Sequence, residues 1–190
     1  MLIGMTGLAG SGKDTVAQYL AERYDFAVIS FADPLYQAVS AITGITVEEL
    51  HDRTIKEQPI KWLGRSPREL LQSLGTEWGR KMVHENIWVS IALERIATLT
   101  EKGHHVVVTD VRFDNEAMAI KLAGGLIWRV SRPGVHACVD ECADHESEKG
   151  VSDALVDDSI LNDSTIDYLR ARADFQLLQY KYGQDTQRHF

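Results

Sequence analysis

The chain is short of cysteine, of long apolar runs and of surplus basic charge, and each shortage removes a class of protein. Two cysteines, Cys138 and Cys142, occur among 190 residues. That is too few for a disulfide framework, and a reduced, intracellular setting is expected. No apolar run approaches the roughly 20 residues that span a bilayer, so no membrane partner is expected. A signal peptide is not expected either, because the strand-like run Leu2–Thr6 starts at once and leads into glycine-rich chemistry. The net charge is −8, and it is unevenly placed. Between Asp140 and Asp167 there are ten acidic residues and one basic residue, Lys149, while the other 162 residues carry 19 basic and 18 acidic side chains. Such a chain has no general attraction to duplex DNA, and direct nucleic-acid binding is not expected. Any anionic ligand must be held by a local pocket. Internal repeats and low-complexity tracts are also missing.

What is present is an ordinary globular composition, 44% hydrophobic and 25% charged, in which strand-like and helix-like segments alternate. Residues 2–6, 26–31, 106–109, 126–130 and a short run around 159–161 read as strands. Helices are expected over 13–24, from Asp33-Pro34 (Asp33 as cap), over 66–79, 87–100 and 114–123, and from Ser164 to about Tyr180. A frayed tail follows. Thr46 and Glu49 read as a capping box for one short helix, followed by a loop with Pro59 and Gly64. This alternation predicts an α/β three-layer sandwich on a parallel sheet of about five strands, with ligands at the carboxyl ends of the strands. The length suits a single domain over 1–190, with a helical part at about 34–86 and a polar lid segment at about 133–155.

Gly7-Leu8-Ala9-Gly10-Ser11-Gly12-Lys13-Asp14-Thr15 joins the first strand to the first helix. The spacing matches G-x-x-x-x-G-K, a phosphate-binding P-loop whose glycines let successive N–H groups converge on one anion. Asp14 stands where Ser or Thr is usual, and the hydroxyl comes one position later, at Thr15. Gly10, Ser11, Gly12, Lys13, Asp14 and Thr15 are therefore the candidate nucleotide-binding residues. The loop alone does not separate a kinase from a switch or a motor.

The 66–80 segment carries two stripes. Leu70, Leu74 and Trp78, with Leu71 beside them, are expected to face the core. Arg68, Gln72, Thr76 and Arg80 recur every four residues about 200° away and suit an anionic, polar ligand. A solvated face with Glu69 and Glu77 as partners is the bland alternative. Asp110, at the tip of the 106–109 strand, stands where magnesium or a water is positioned, with Arg112 beside it. Arg129 and Arg132 end the fourth strand, where cations can neutralise a transferring phosphoryl group. His136, Cys138, Cys142 and His145 fall within ten residues, a poor spacing for structural zinc, and read as loop residues.

Several segments together resemble one family, in order: GLAGSGKDT, FADPL at Phe31–Leu35, SPRELLQSLGTEWGR at Ser66–Arg80, TDVRFDNEA at Thr109–Ala117, HESE at His145–Glu148 and ILND at Ile160–Asp163. They resemble the bacteriophage deoxynucleoside monophosphate kinases, which are P-loop proteins similar in plan to nucleoside monophosphate kinases. The resemblance implies transfer of the ATP γ-phosphate to a dNMP, giving dNDP and ADP for DNA precursor synthesis. ATP and Mg2+ are the implied cofactors, and the cytoplasm (of a host cell if phage-encoded) is the implied location. It further implies that Lys13, Asp14 and Thr15 hold phosphates and magnesium, and Asp110, from its place at the strand tip, is a further candidate metal ligand. Arg68, Gln72, Gly75 and Thr76 would hold the monophosphate and its base, and Asp33 and Arg80 are counted with them as substrate-binding candidates. Asp110 and Arg112 would line the floor, and His145 and Glu148 would belong to the lid side. Where the family carries a lysine after F-A-x-P-L, this chain has Tyr36, whose ring can stack on a base. A homodimer is left open. Two rivals remain, a P-loop kinase of another small phosphorylated metabolite (dephospho-CoA kinase-like) and a non-catalytic nucleotide-dependent switch.

Overall fold

Apolar residues at alternating positions of β1 (Leu2–Thr6) are buried from both sides, which only a strand in the middle of a sheet requires. The computed structural model describes residues 1–135 and 150–187, with side chains to Tyr180. Its chain order is β1, α1 (Lys13–Tyr24), β2 (Phe26–Ile29), α2 (Asp33–Thr43), α3 (Val47–His51), α4 (Arg53–Glu57), α5 (Pro67–Gln72), a π-helical segment (Ser73–Val83) and α6 (Ile87–Glu101). There follow β3 (His105–Val108), α7 (Asp114–Leu122), β4 (Leu126–Ser131), a 3-10 turn (Asp153–Leu155), β5 (Asp158–Leu161) and α8 (Ile166–Gln187). The chain divides into two compact units, 1–29 with 95–190, and 30–94.

The first unit is the expected α/β sandwich. Its five strands are all parallel in the order β2-β3-β1-β4-β5, with Leu2 opposite Val106 and Ile3 opposite Leu126. Ile3 and Met5 point to one face, where they join Val107, Trp128, Val130 and Ile160 under Val16 and Leu20 of α1 and Leu169, Ala173 and Leu177 of α8. Gly4 points to the other face, and a Cβ there would come within 2.9 Å of Ile120, Ile127 and Val111, so α7 packs close against the sheet. At the sheet edge, β2 stops at Ile29 rather than Phe31, and Val28 is 40% exposed. An edge strand has a neighbour on one side only and loses cover at its end. α8 runs on to Gln187, beyond the expected end near Tyr180.

The second unit is helical, with its own small core of Val39, Leu50 and Leu71, against which Leu35, Tyr36, Ile45, Leu70 and Leu74 pack. The Thr46–Glu49 capping box forms as expected. Asp52 then caps a further helix, α4, which falls inside the expected loop. Asp33 does not cap α2: Ala32 is the N-cap, and the Asp33 carboxylate accepts the Ser30 N–H at 3.2 Å.

The larger correction is the 66–79 helix. It is α-helical only to Gln72 and π-helical over the next 11 residues. Trp88 supplies the reason, donating its indole N–H to the Gly75 carbonyl at 2.8 Å while its ring lies against Gly79. A side chain inserted into the helical ladder in this way favours a wider turn. The buried line is then Pro67, Leu71, Gly75 and Gly79, and Trp78, expected to face the core, is 44% exposed.

Candidate active site

Glycine is required where β1 turns into α1. Gly12 has φ +106°, and a Cβ there would stand 2.7 Å from the Asn162 amide nitrogen. Gly12 is also the N-cap of α1 and offers no capping side chain, so the helix presents its first N–H groups and positive dipole end openly. Lys13 folds back, donating from Nζ to the carbonyls of Gly7 and Leu8 at 2.8 Å each. The Ser11 N–H reaches Leu8 O at 3.2 Å and closes the loop. The Ser11 hydroxyl is buried without a hydrogen-bond partner among the described residues, an orphan polar group inside an anion-binding loop.

A cleft of about 330 Å³ opens over this loop. Gly10, Gly12, Lys13, Asp14 and Thr15 line one side, Arg132 and Asn162 another, with Ser164, Ile166 and Leu169 completing it. It lies beyond the carboxyl ends of β1, β4 and β5, where a parallel sheet of this kind binds ligands. Asn162 received no role from the sequence. Its side chain donates to Ser11 O at 2.9 Å and its backbone N–H to Ser131 O at 2.7 Å, pinning the loop to the end of β4. An asparagine directly after a predicted strand, in the ILND segment, was the available signal.

Of the two arginines at the end of the fourth strand, Arg129 within it and Arg132 just after it, the structure brings only Arg132 to the cleft. Arg129 is turned to Asp153 and to the Val151 carbonyl, and so ties β4 to the 3-10 turn. Asp114 anchors the same stretch by accepting from the Ser152 hydroxyl and N–H, and these bonds hold its carboxyl below the usual value. Residues 150–155, read as the end of the lid, are thus fastened to the body. The rest of the expected lid, with His136, Cys138, Cys142, His145 and Glu148, lies mainly in 136–149, outside the described residues.

Asp110 follows β3, and the Val111 N–H donates to Met5 O at 3.0 Å, so backbone pairing sets Asp110 beside the end of β1. Neither Asp110 nor Arg112 lines the cleft. The turn they share is held by Glu116, 2% exposed, whose carboxylate accepts the N–H groups of Arg112 at 2.8 Å and Phe113 at 3.2 Å. Among the described residues no cluster of three His, Cys, Asp or Glu side chains could hold a metal. The oxygen donors Asp14 and Thr15 in the cleft suit a hard cation that also binds phosphate oxygens, since magnesium takes few protein ligands.

In the helical unit Arg68, Gln72, Thr76 and Arg80 are all half-buried, beside the Pro67–Gly79 line, rather than on a solvated face. Arg68 pairs with Glu57 at 3.2 Å, while Glu69 pairs with Arg65 and Glu77 with Lys81. Gly75 lies in the same segment, with Leu35 of α2 3.1 Å from where its Cβ would be. Tyr36 stacks not on open space but on His51, with ring centroids 4.4 Å apart.

A parallel sheet with a P-loop at its switch point and a cleft above it is the plan of a P-loop nucleotide-binding protein. In fold the structure is similar to dephospho-CoA kinase from Campylobacter jejuni, with a TM-score of 0.54 over 96% of this chain and 98% of that one, at 16% identity. The family model for deoxynucleotide monophosphate kinase matches residues 45–173. A protein of Acanthamoeba polyphaga mimivirus bearing the name of a deoxynucleotide monophosphate kinase is 38% identical over 71% of this chain and 76% of its own. The deoxynucleoside-5'-monophosphate kinase of Escherichia phage T5 is 29% identical over 85% of this chain and 89% of its own. The chain belongs to the deoxynucleotide monophosphate kinase family, and it is a phosphotransferase. Among the described residues no helix is long and apolar enough to cross a membrane.

Proposed function

We propose that the protein moves the γ-phosphate of ATP to the phosphate of a deoxynucleoside monophosphate, giving ADP and a deoxynucleoside diphosphate for DNA synthesis in the cytoplasm. The observation that carries this is the cleft over the P-loop, where Lys13, Arg132 and the uncapped start of α1 converge. A phosphate oxygen of the acceptor attacks the γ-phosphorus as the bond to the β–γ bridging oxygen breaks, and ADP leaves with that electron pair. Lys13 and Arg132 stand where the charge of the transferring group can be neutralised. Asn162 engages the Ser11 carbonyl with its amide and so holds the loop in place. Magnesium, when bound, would screen the phosphate charges, with Asp14 and Thr15 of the cleft as its protein-side holders. The apolar side chains of Ile166 and Leu169 suit the base of the donor.

The acceptor falls to the helical unit, where Arg68 offers a guanidinium to the monophosphate and Gln72, Thr76 and Arg80 offer hydrogen bonds to the rest of the nucleotide. Product formation from ATP and magnesium across the four dNMPs, the matching ribonucleotides and dephospho-coenzyme A tests the reading. Turnover of at least one dNMP is expected. Turnover of dephospho-coenzyme A with no dNMP accepted would overturn it.

A further inference from the structure

Tyr36 of α2 meets three short helices, α3, α4 and α5. α2 packs on α3 and α5, and α4 packs on α5. The body of Tyr36 leans on the Val39–Leu50–Leu71 core, and His51 of α3 stacks on its ring with planes 18° apart. Its hydroxyl is therefore fixed in space. The ammonium of Lys56, on α4, reaches that hydroxyl and lies 4.8 Å from the ring centroid. The next residue, Glu57, accepts from Arg68 at 3.2 Å and from Arg53 at 3.0 Å. One carboxylate thus serves two guanidiniums while Lys56 stands one residue away. Arg53, Lys56 and Arg68 stand around a single carboxylate, Glu57, whose two ion pairs go to the arginines and not to Lys56. A phosphate monoester brings about −1.5 to −2 near neutral pH and suits an ammonium and a guanidinium together.

We propose that Lys56, held by the Tyr36 hydroxyl, is a further binding residue for the acceptor's phosphate, acting beside Arg68. The inference rests on the reading of 30–94 as the acceptor unit. Of the three Lys56 donors one goes to the Tyr36 oxygen, and the others meet no described residue. The Nε and Nη2 groups of Arg68 likewise make no hydrogen bond to a described residue, since Nη1 alone meets Glu57. Because the Tyr36 oxygen accepts from Lys56, its own O–H remains to donate to a phosphate oxygen. Tethering also removes much of the rotamer freedom that a long lysine stem would otherwise lose on binding. Tyr36 is thus a positioning group as well as a donor, and the His51 stack keeps it from sheltering a base on that face.

The test compares the wild type with Lys56→Met, Lys56→Arg and Tyr36→Phe. Lys56→Met should raise the acceptor KM by ~10-fold or more and weaken equilibrium dNMP binding by a similar factor. The KM for ATP should stay within about twofold, and so should binding of the deoxynucleoside that lacks the phosphate. Lys56→Arg should recover part of the loss, and Tyr36→Phe should show a smaller loss in the same direction. An unchanged acceptor KM in a Lys56→Met protein of normal melting temperature overturns the proposal. So does equal weakening of deoxynucleoside and dNMP. If the wild type phosphorylates no dNMP, the acceptor reading falls by itself. Inorganic phosphate then decides the Lys56 site: weaker phosphate binding by Lys56→Met supports it, and unchanged binding overturns it.

Discussion

Lys13 directs its ammonium onto the Gly7 and Leu8 carbonyls, so its charge already stands at the loop where phosphates would arrive. Lys13→Met should therefore lower turnover by at least ~100-fold, the scale of removing a preorganised charge. The melting temperature should hardly change, because the lysine takes no part in the buried core. Near-normal turnover by the folded variant would end the P-loop assignment. The two arginines at the end of the fourth strand make a sharper pair. They are three positions apart and share a charge, and sequence alone gave them one role. The structure sends them to different duties, Arg132 to the cleft and Arg129 to Asp153 and Val151 O. Arg132→Ala should cut kcat by ~10-fold or more with little change in melting. Arg129→Ala should instead lower the melting temperature by several degrees, about 1–2 kcal/mol, through loss of the tether to residues 151–153. If both variants lose kcat equally and neither loses stability, this division of labour is wrong.

At the scale of elements, the π-helical segment depends on one close contact. A Cβ at Gly79 would stand 2.4 Å from the Trp88 ring, inside any tolerable carbon–carbon distance. Gly79→Ala should force the indole aside, break its 2.8 Å bond to Gly75 O, and cost about 1–3 kcal/mol. Urea unfolding measures that cost, and a loss of acceptor affinity should accompany it because Arg80 and Thr76 ride on the same turns. A variant as stable as the wild type would show that Trp88 does not set the wide turn. This segment also marks where sequence reading stopped working. Elements whose form follows from local pattern were legible: the glycine-rich turn into α1, the β-branched run of β3, the Thr46–Glu49 box. The helix start at Ser66-Pro67 was legible for the same reason. Its later course was not, because Trp88 lies 13 residues after Gly75 and no periodicity foretells its indole entering the ladder. The same limit explains Arg129 and Asn162. Their partners, Asp153 and Ser11, are separated from them by 24 and 151 residues, and only the sheet order brings them together.

For the molecule as a whole, the consequence of two compact units is two separate stabilities. The sheet unit buries a cluster of thirteen residues, with Ile3, Trp128, Val130 and Ile160 wholly inaccessible. The helical unit has a smaller packed cluster, Val39, Leu50 and Leu71, beside which Phe31, Trp88, Val89 and Ala92 are also buried, and two of its helices are only five residues long. Such helices do not hold themselves, since nucleation is costly and few intrahelical bonds follow. Local opening should therefore be easiest in 30–94, and amide hydrogen exchange there should be faster than in β1, β3 and β4. Ligands should then act selectively, because whatever binds only the closed form of a unit stabilises that unit by mass action. A saturating dNMP alone should slow exchange over α4, α5 and the π-helical segment, while an ATP analogue with magnesium should slow residues 7–15 and the start of α8. At about 100 times its dissociation constant a ligand adds about 2.7 kcal/mol, enough to slow local opening by ~100-fold. Exchange followed peptide by peptide with each ligand alone resolves the two patterns. If dNMP protects the P-loop and leaves 53–83 unchanged, the division of acceptor and donor between the units is wrong.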